Sequence, residues 1–321
     1  MSRPPGHPIF LTEFETDVRA GLMKPAQKEL YSKYLYDDLG TALFEAITLL
    51  PEYGLTRADL RLLRKHAREL PERAGNVAVA VELGSGSGEK AREVLPHLVI
   101  HNPITYCPID LSSAALSRCQ RDVDDIPHLK VVPIEDSYID GLAAASKLRK
   151  PETSMLVLFL GSSIGNFEPH VAETFLKAIR SHVRPGDLFL LSTDLVKSID
   201  RMVPAYDDAL GVTAAFNLNL LARINRELGA DFDLTNFRHE ARYNEPEQRI
   251  EMHLRSTADQ TVSINGNFTV HLKPGETIWT ESSYKFRTEQ VRSISERAGF
   301  NCEVQWVDAE WPFAQTLLRA R

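Results

Sequence analysis

Residues 77–90 read Val77-Ala78-Val79-Ala80-Val81-Glu82-Leu83-Gly84-Ser85-Gly86-Ser87-Gly88-Glu89-Lys90. The first half is apolar and rich in β-branched residues, as expected of a strand that is buried on both faces. The second half is dense in glycine and leads into a helical pattern at residues 91–95. A strand, a glycine turn and a helix allow the backbone to approach a small ligand closely. The sequence therefore predicts a ligand site at this turn, within an α/β domain.

The spacing of the glycines narrows the choice of ligand. Gly84, Gly86 and Gly88 follow Glu82 in an acidic-x-G-x-G-x-G pattern, which resembles the first motif of class I methyltransferases, the enzymes that bind S-adenosylmethionine (SAM). SAM carries a sulfonium and an ammonium, so an acid beside the turn suits it. A dinucleotide site, whose motif is G-x-G-x-x-G, and a purely structural turn remain alternatives. A P-loop is excluded because no G-K-[ST] follows.

A second acid supports a nucleotide-type ligand. Residues 104–109 read as the next strand, which ends at Asp110, roughly 20 residues after the glycines, where an acid holds ribose hydroxyls. Asp110 also precedes a helical pattern that starts near Ser112, so it can mark a helix N-terminus as well. The two roles are compatible.

Composition indicates an ordinary globular chain. The 321 residues are 43% hydrophobic and 25% charged, a length that suits two domains or one domain with a large insertion. The net charge of −7 gives no basic surface for nucleic acid. The three cysteines form no C-x-x-C pair, which predicts reduced thiols. The histidines form neither H-x-x-x-H nor H-E-x-x-H, so no metal site is predicted.

The N-terminus is polar and proline-rich and lacks the apolar segment of a signal peptide. No run of residues reaches the length of a transmembrane helix. We therefore expect a cytoplasmic monomer that binds a small molecule and contacts neither membrane nor nucleic acid. Residues 1–10 are expected to form a loosely held arm.

Alternating strands and helices predict a parallel, doubly wound sheet with ligand at the carboxyl ends of its strands. Strands are expected near 77–83, 104–109, 129–134, 154–160 and 187–193, and helices near 89–99, 112–122, 138–148 and 168–182. Class I methyltransferases end in a helix and a β-hairpin, and these are expected at 287–299, 302–308 and 313–320.

The segments on either side of this core have a different pattern. Residues 14–50 are expected to be helical, and a further helix is expected to start at Thr56 as its N-cap, with Asp59 as the acid of a capping box. The block after Asp194 has two helical segments and then alternating strands, expected at 198–210, 212–229, 237–244, 248–256, 260–264, 268–272 and 276–283. We therefore predict a Rossmann-like methyltransferase domain and an inserted α+β substrate domain, with the bounds 58–195 plus 285–321 and 10–57 plus 196–284, respectively.

Several stretches along the chain together resemble one family, the L-histidine Nα-methyltransferases of ergothioneine biosynthesis. In family order, the stretches are Tyr34-Leu35-Tyr36-Asp37-Asp38-Leu39-Gly40, Leu50-Pro51-Glu52-Tyr53, Val81-Glu82-Leu83-Gly84-Ser85-Gly86, Phe159-Leu160-Gly161-Ser162-Ser163-Ile164-Gly165-Asn166-Phe167, Thr193-Asp194-Leu195-Val196-Lys197, Ala205-Tyr206-Asp207-Asp208-Ala209, Gly211-Val212-Thr213-Ala214-Ala215-Phe216-Asn217, Arg249-Ile250-Glu251-Met252 and Thr280-Glu281-Ser282-Ser283-Tyr284-Lys285-Phe286. The resemblance implies SAM as methyl donor and three successive methylations of the α-amine of L-histidine. The product would be hercynine, and the reaction would be the first step of ergothioneine biosynthesis.

The resemblance also implies which residues bind SAM. On the side of the glycine turn they are Gly84, Gly86, Lys90 and Asp110. The family's Gly-Asp-Phe pattern at the adenine falls on Asp136-Ser137-Tyr138 in this chain. Without a gap, the family acid falls on Ser137 and its aromatic residue on Tyr138, whereas a shift of one residue uses Asp136 instead.

The implied substrate side draws on several segments. Asn166 would bind the α-amine and carboxylate with help from Tyr206, Tyr36 would lie near the amine, and Glu281 and Ser283 would bond the two ring nitrogens. Asn166 and Tyr36 are the catalytic candidates. The other implied pocket residues are Tyr53, Gly161, Thr213, Phe216 and Met252.

Each of these residues has an ordinary structural interpretation when it is taken alone. Tyr53 and Met252 suit core positions, and Asn166 after a glycine suits a turn. Lys90 suits a surface charge, and Glu281 suits the solvated face of a strand. The functional interpretation therefore depends on the joint match.

Three other functions remain open. An enzyme of the same family could act on another amino acid, such as a tryptophan derivative, although Glu281, Ser283 and Met252 favour histidine. A nucleic-acid or protein methyltransferase is disfavoured by the net charge of −7 and by the absence of a [DN]-P-P-[FYW] motif. A non-catalytic SAM-binding protein is disfavoured by the complete set of pocket residues.

Overall fold

The computed structural model describes residues 12–100 and 102–321, so the predicted arm at residues 1–10 lies outside the described residues. The α-helices are α1 Glu13–Leu22, α2 Asp38–Thr48, α3 Gly54–His66, α4 Leu70–Ala74, α5 Glu89–Leu98, α6 Ser113–Val123, α7 Tyr138–Ser146, α8 Pro169–His182, α9 Ile199–Met202, α10 Val212–Leu228 and α11 Thr288–Arg297. The strands are β1 Lys28–Glu29, β2 Val77–Leu83, β3 Ile104–Asp110, β4 Leu129–Val131, β5 Ile134–Glu135, β6 Ser154–Phe159, β7 Leu188–Asp194, β8 Phe237–Asn244, β9 Arg249–Ser256, β10 Gln260–Ile264, β11 Phe268–Leu272, β12 Thr277–Tyr284, β13 Phe300–Val307 and β14 Phe313–Ala320.

The chain divides into two compact units. The larger unit consists of Thr48–Ala205, Tyr243–Ile250 and Ser282–Arg321. The smaller unit consists of the described residues up to Ile47, Tyr206–Arg242 and Glu251–Glu281. These bounds differ from the predicted domain bounds, because the larger unit also contains the segments 48–57, 196–205, 243–250 and 282–284. The assignment of a cofactor domain and a substrate domain stays a prediction.

The larger unit contains the predicted doubly wound sheet. Its strand order is β13-β14-β7-β6-β2-β3-β4, and β5 also pairs with β3. Neighbours from β4 to β7 are parallel, whereas β14 runs antiparallel to β7 and to β13. The chain order reverses at β2, since β3 lies on one side of it and β6 on the other. Ligands of such sheets bind at the carboxyl ends of the strands at this switch point.

Two apolar cores cover the two faces of this sheet. Alternate residues of β2 point to opposite faces, so Val79 and Val81 belong to one core and Ala80 belongs to the other. Because both faces are buried, the strand is apolar apart from Glu82 and shows no regular alternation with polar residues. This burial explains why the sequence pattern located β2 correctly.

The smaller unit combines helices with antiparallel and parallel pairings. Strands β10 and β11 form an antiparallel hairpin. Most residues of a four-stranded sheet with the order β1-β12-β9-β8 belong to this unit, and β1 pairs with β12 in parallel. Helix α10 contributes the buried side chains Phe216, Leu220 and Ile224 to this unit.

Three local predictions for residues beyond 50 are wrong. The helix expected at 198–210 is replaced by the short helix α9, which is followed by Pro204. The carboxylate of Asp208 caps α10 instead, because it accepts hydrogen bonds from the N–H groups of Val212 at 3.0 Å and Thr213 at 2.7 Å. The expected single strand at 129–134 is split into β4 and β5 around Pro133, which has no N–H group to donate.

The third error concerns the start of α3. This helix begins at Gly54, so Thr56 lies inside it and is not the N-cap. A Cβ on Gly54 would lie 2.2 Å from the Trp311 indole, so the helix can pack against that ring only at a glycine. Asp59 is then displaced from the first turn into the core, where its carboxylate has other partners.

Candidate functional site

The glycine turn after β2 has the backbone geometry of a close-approach loop. Gly84, Gly86 and Gly88 have φ values of +72°, +52° and +89°, which residues other than glycine rarely adopt. A Cβ on Gly88 would lie 2.8 Å from the sulfur of Cys119. Apart from Gly86 itself and its two chain neighbours, no described residue has an atom within 4 Å of the position that a Cβ on Gly86 would take. The turn therefore presents bare backbone to open space at Gly86.

Asp110 lies at the end of β3, beside this turn. Its Oδ2 accepts the Gly86 N–H at 3.1 Å, and its Oδ1 accepts the Ser112 N–H at 3.0 Å. Ser112 is the N-cap of α6, so the structural interpretation of this region is confirmed. A carboxylate has about four acceptor positions, so Asp110 can accept hydroxyl hydrogens in addition to these two bonds.

The acid of the glycine motif, Glu82, lies near the end of β2. Its side chain is buried, and its carboxyl accepts a hydrogen bond from the Tyr106 hydroxyl. Burial raises the pKa of Glu82 to about 7, although the Tyr106 bond and the charge of Lys90 act in the opposite direction. Glu82 therefore supports the base of the turn.

Replacing Glu82 by glutamine is expected to flatten the pH dependence of stability. The folded protein holds the Glu82 proton up to about pH 7, so its contribution to stability is present below about pH 4.5 and is lost as the pH rises through 7. Between pH 5 and pH 8 the wild type should lose roughly 2–3 kcal/mol of unfolding free energy relative to Glu82→Gln. Urea unfolding at both pH values measures the difference. The exposed Glu72→Gln control should follow the wild type, and parallel curves for Glu82→Gln and wild type would contradict the assignment.

Lys90 and Gly161 are brought together at the switch point of the sheet. Gly161 follows β6, and Lys90 lies in the first turn of α5. A Cβ on Gly161 would lie 2.7 Å from Lys90 Nζ. The same ammonium lies 3.0 Å from a carboxylate oxygen of Asp59, a residue that the sequence analysis assigned only to a capping box. Asp59 could not be found from sequence, since its partners are distant along the chain.

The predicted adenine region follows β5. Asp136 is exposed and its carboxylate accepts the Ser137 N–H at 2.7 Å. Ser137 is the N-cap of α7 and its hydroxyl is bonded to Asp140. Tyr138 packs against Phe159 with ring centroids 5.5 Å apart. Its hydroxyl lies 3.0 Å from the Cβ position of Gly84. The contact of residues 136–138 with adenine stays a prediction, and the choice among the three residues stays open.

The loop after β6 holds Asn166 in a defined position. Asn166 ends a 3₁₀ turn, Ser163–Asn166, and is half-buried. Ser162 has a φ of +66° and its Oγ accepts the Asp194 N–H at 2.8 Å. A Cβ on Gly165 would lie 2.9 Å from the Tyr284 carbonyl oxygen. The neighbouring strands therefore fix the backbone on which Asn166 lies.

Ser283 rests on a buried group of charges. Its Oγ accepts a hydrogen bond of 2.8 Å from Lys285 Nζ. Lys285 lies 3.0 Å from Asp194, which also pairs with Lys197 at 2.6 Å. Burial lowers the pKa of Lys197 to about 8. Burial alone would raise the pKa of Asp194, but the two lysines outweigh it and hold that pKa below its ordinary value.

Tyr53 is the N-cap residue of α3 and is buried. This burial agrees with the core position expected of it, and its predicted place near the imidazole stays a prediction. Four of the residues predicted for the substrate pocket belong to the larger unit, namely Tyr53, Gly161, Asn166 and Ser283.

The smaller unit holds an aromatic group formed by Tyr36, Phe44 and Phe216. The Tyr36 ring lies 5.4 Å from that of Phe216 and 5.5 Å from that of Phe44, both in edge-on geometry. Phe216 is buried, whereas Tyr36 is 37% exposed. The structure thus brings two of the predicted pocket residues into contact.

The segment from Tyr206 to Thr213 is held by backbone contacts. The Tyr206 carbonyl lies 2.7 Å from Nε2 of His239, which donates to it. The Thr213 N–H donates to Asp208. Burial alone would raise the pKa of Asp208, but the hydrogen bonds from N–H groups outweigh this effect, so the pKa lies below its ordinary value. Thr213 and Tyr206 are both buried.

Glu281 and Met252 lie on the neighbouring strands β12 and β9. The Thr280 hydroxyl donates to the Met252 carbonyl at 3.0 Å, and the Trp279 indole N–H donates to the Glu281 carbonyl at 2.9 Å. Glu281 is 8% exposed and Met252 is buried. Glu281 is therefore not on a solvated strand face, which was the ordinary interpretation of that residue. Tyr36, Tyr206, Thr213, Phe216, Met252 and Glu281 all belong to the smaller unit.

Within 12–100 and 102–321, no group of three or more His, Cys, Asp or Glu side chains is arranged to hold a metal ion. Among the helices of the same residues, none is both long enough and apolar enough to cross a membrane.

Comparison with known proteins gives consistent matches. A family model described as histidine-specific, SAM-dependent methyltransferase matches residues 14–320. The histidine N-alpha-methyltransferase of Mycolicibacterium smegmatis is 40% identical over 304 residues, which cover 94% of this chain and 93% of that protein. Ergothioneine biosynthesis protein 1 of Neurospora crassa is 32% identical, and the match covers 88% of this chain and 32% of that protein. The L-tryptophan methyltransferase trpM of Psilocybe serbica is 26% identical over 94% of this chain and 91% of that protein.

Proposed function

Because the chain belongs to the family of histidine-specific, SAM-dependent methyltransferases, we propose that it transfers three methyl groups to the α-amine of L-histidine and so makes hercynine. This reaction is the first step of ergothioneine biosynthesis, in which relatives of this chain also take part. The observation that carries the proposal is the 40% identity to a histidine N-alpha-methyltransferase over nearly the whole length of both proteins.

The residues of the glycine turn fit SAM. Gly84 and Gly86 allow the backbone to approach the ligand, and Asp110 has acceptor positions for ribose hydroxyls. Lys90 offers an ammonium to the carboxylate of the methionine part. When bound, SAM supplies an electrophilic methyl group on a sulfonium.

Histidine recognition is proposed for Glu281 and Ser283, which lie two residues apart on β12. Alternate residues of a strand share a face, so their side chains are suited to the two nitrogens of one ring. Lys285 donates to Ser283 Oγ, which directs the hydroxyl hydrogen of Ser283 away from Lys285. Ser283 then donates to one ring nitrogen, and Glu281 accepts the N–H of the other. Met252 and Tyr53 line the ring.

The nucleophile in this reaction is a neutral amine. A free α-amine has a pKa of about 8, so a useful fraction is unprotonated near neutral pH and no strong general base is required. Asn166 binds the amine and the carboxylate with Tyr206, and the proton leaves to Tyr36 or to water. Most of the rate enhancement then comes from alignment of the reacting groups.

Three methylations require room beside the amine. Thr213 and Phe216 bound this space in the proposal, and the contact between the Tyr36 and Phe216 rings supports it. Each added methyl group gains apolar contact with these side chains.

A cytoplasmic monomer is the proposed state of the protein. The three cysteines carry free thiols, which fits a reducing compartment. Light scattering of the purified protein measures its mass directly, and a mass twice that of one chain would contradict the monomer.

The deciding experiment incubates the protein with SAM and one amino acid at a time, with products identified by mass spectrometry. Histidine is expected to give a product that carries three methyl groups, and tryptophan is expected to give none. Methylation of tryptophan but not of histidine would show that the chain acts on the alternative amino acid. The relative from Psilocybe serbica, which is 26% identical, is named as an L-tryptophan methyltransferase. SAM binding without any methylated product would identify a non-catalytic binding protein.

A further inference from the structure

A buried carboxylate joins two of the predicted binding residues. Asp59, on α3, is fully buried. Its Oδ2 lies 3.0 Å from Lys90 Nζ and accepts the Gly161 N–H at 2.8 Å. Its Oδ1 accepts bonds from the Ser192 hydroxyl at 2.7 Å and from Gln315 Nε2 at 2.6 Å. Both oxygens therefore have two partners, and the Lys90 ammonium supplies the positive charge among these four.

The ammonium held by Asp59 lies where the sheet binds ligands. Lys90 comes directly after the glycine turn that follows β2, and Gly161 follows the neighbouring strand β6. The pair therefore lies at the switch point of the sheet. The Lys90 side chain is 21% exposed, whereas Asp59 is not exposed at all. An ammonium has three N–H donors, so Lys90 keeps donors for a ligand while one is directed to Asp59.

Gly161 makes room for this arrangement. Its φ is +79°, and a Cβ in its place would lie 2.7 Å from Lys90 Nζ. Its N–H group bonds the same carboxylate oxygen as the ammonium. The Asp59 side chain thus holds both the loop after β6 and the Lys90 ammonium in place.

We propose that Asp59 is a positioning residue that fixes the Lys90 ammonium for the carboxylate of SAM. A lysine has a flexible four-carbon chain with a large rotamer entropy, so a fixed counter-ion on one side pre-organises the ammonium for an anion on the other. The carboxylate is the one anionic group of SAM. The inference rests on the proposed function only in taking SAM as the ligand.

Asp59→Asn is a suitable variant because it removes the charge and keeps the shape. The asparagine oxygen can still accept the Gly161 N–H. Its amide can donate to Gln315 Oε1 once the Gln315 amide turns over, a change that gives up the 3.0 Å bond from Gln315 Nε2 to the backbone carbonyl of residue 59. Ser192→Ala is the matched control, since it removes a neutral hydrogen bond from the same carboxylate and leaves the charge.

The experiment compares the binding of SAM with that of decarboxylated SAM, which lacks the carboxylate, by titration calorimetry. Asp59→Asn is expected to weaken SAM about tenfold, the effect of losing one well-aligned charge-assisted contact. The affinities of this variant and of the wild type for decarboxylated SAM should lie within about threefold of each other. In Ser192→Ala, the ratio of the affinity for SAM to the affinity for decarboxylated SAM should equal that of the wild type.

Lys90→Met supplies the second half of a double-mutant cycle. It should weaken SAM at least as much as Asp59→Asn, and the double variant should bind SAM no worse than Lys90→Met alone. Lys90→Met leaves a buried carboxylate without its cation, so its melting temperature should lie below that of the double variant. In turnover assays Asp59→Asn should raise KM for SAM more than KM for histidine.

Two results would overturn the inference. Equal weakening of SAM and decarboxylated SAM by Asp59→Asn would mean that Asp59 supports only the fold. Tighter binding of SAM by this variant would mean that Asp59 competes with the ligand for Lys90. The binding measurements need no methyl acceptor, so a failure of the wild type to methylate histidine would contradict the proposed function and leave these comparisons intact.

Discussion

Replacing Glu281 by alanine is expected to lower kcat/KM for histidine about 100-fold or more. A hydrogen bond to a charged group is worth about 1.5–3 kcal/mol, which corresponds to about 10–150-fold. The side chain of Glu281 is 8% exposed, so water replaces it poorly and the ring N–H is left without a partner, which adds to the loss. Steady-state kinetics with histidine as the varied substrate measures the effect.

The controls separate ring recognition from a general effect on the protein. Glu281→Gln keeps the shape and one acceptor, so its loss should be smaller than that of Glu281→Ala. Glu276→Gln removes a carboxylate just before the same strand, where Glu276 pairs with Lys28 at the surface, and it should stay within about twofold of the wild type. KM for SAM should change little in all three variants. A Glu281→Ala enzyme within threefold of the wild type would remove Glu281 from ring recognition.

The parts of the fold that the sequence predicted well are those in which local pattern and burial agree. Apart from Glu82, strand β2 is apolar on both faces, and its predicted bounds, 77–83, are those of the structure. The hairpin of β10 and β11 was likewise predicted at its observed bounds, because alternating residues flank the Asn265-Gly266 turn. Each of these elements is specified by residues that are adjacent in the sequence.

The parts that the sequence missed are set by distant partners. Strand β1 falls in a segment that was expected to be helical, and its two residues pair with Ile278 and Trp279, far along the chain. The side chain of Gln27 adds a hydrogen bond of 2.8 Å to the Thr277 carbonyl. No pattern within residues 14–50 contains this information, so tertiary contact overrides local preference.

The same distinction applies to the candidate site. The glycines and Asp110 could be recognised because their spacing is the signal. Asp59 could not, because its side chain reads as a capping residue until Lys90 and Gly161 are seen beside it. The support of Ser283 by Lys285 and Asp194 was also missed, since it depends on the position of β12 relative to β7. The residues proposed to bind ligand were thus easier to recognise in the sequence than the residues that support them.

Replacing Asn166 by alanine is expected to lower kcat/KM for histidine about 100- to 1000-fold, through loss of bonds to both the amine and the carboxylate and of the alignment that they impose. The loop itself should be preserved, because Ser162 bonds the Asp194 backbone and Gly165 packs on Tyr284, and neither contact uses the Asn166 side chain. SAM affinity, measured by calorimetry, should therefore stay close to that of the wild type. The exposed Asn301→Ala serves as control and should remain within about twofold.

Asn166→Asp gives a sharper test, because it places a carboxylate where the proposal places the substrate amine. A nearby negative charge favours the protonated amine and raises its pKa, and only the neutral amine attacks the methyl group. The pH at which kcat/KM reaches half of its maximum should therefore move upward by about one unit or more, with partial recovery of activity in alkaline solution. A variant that is slow but has the wild-type pH profile would show that residue 166 does not touch the amine, and orientation of the nucleophile would then pass to Tyr206 and Tyr36.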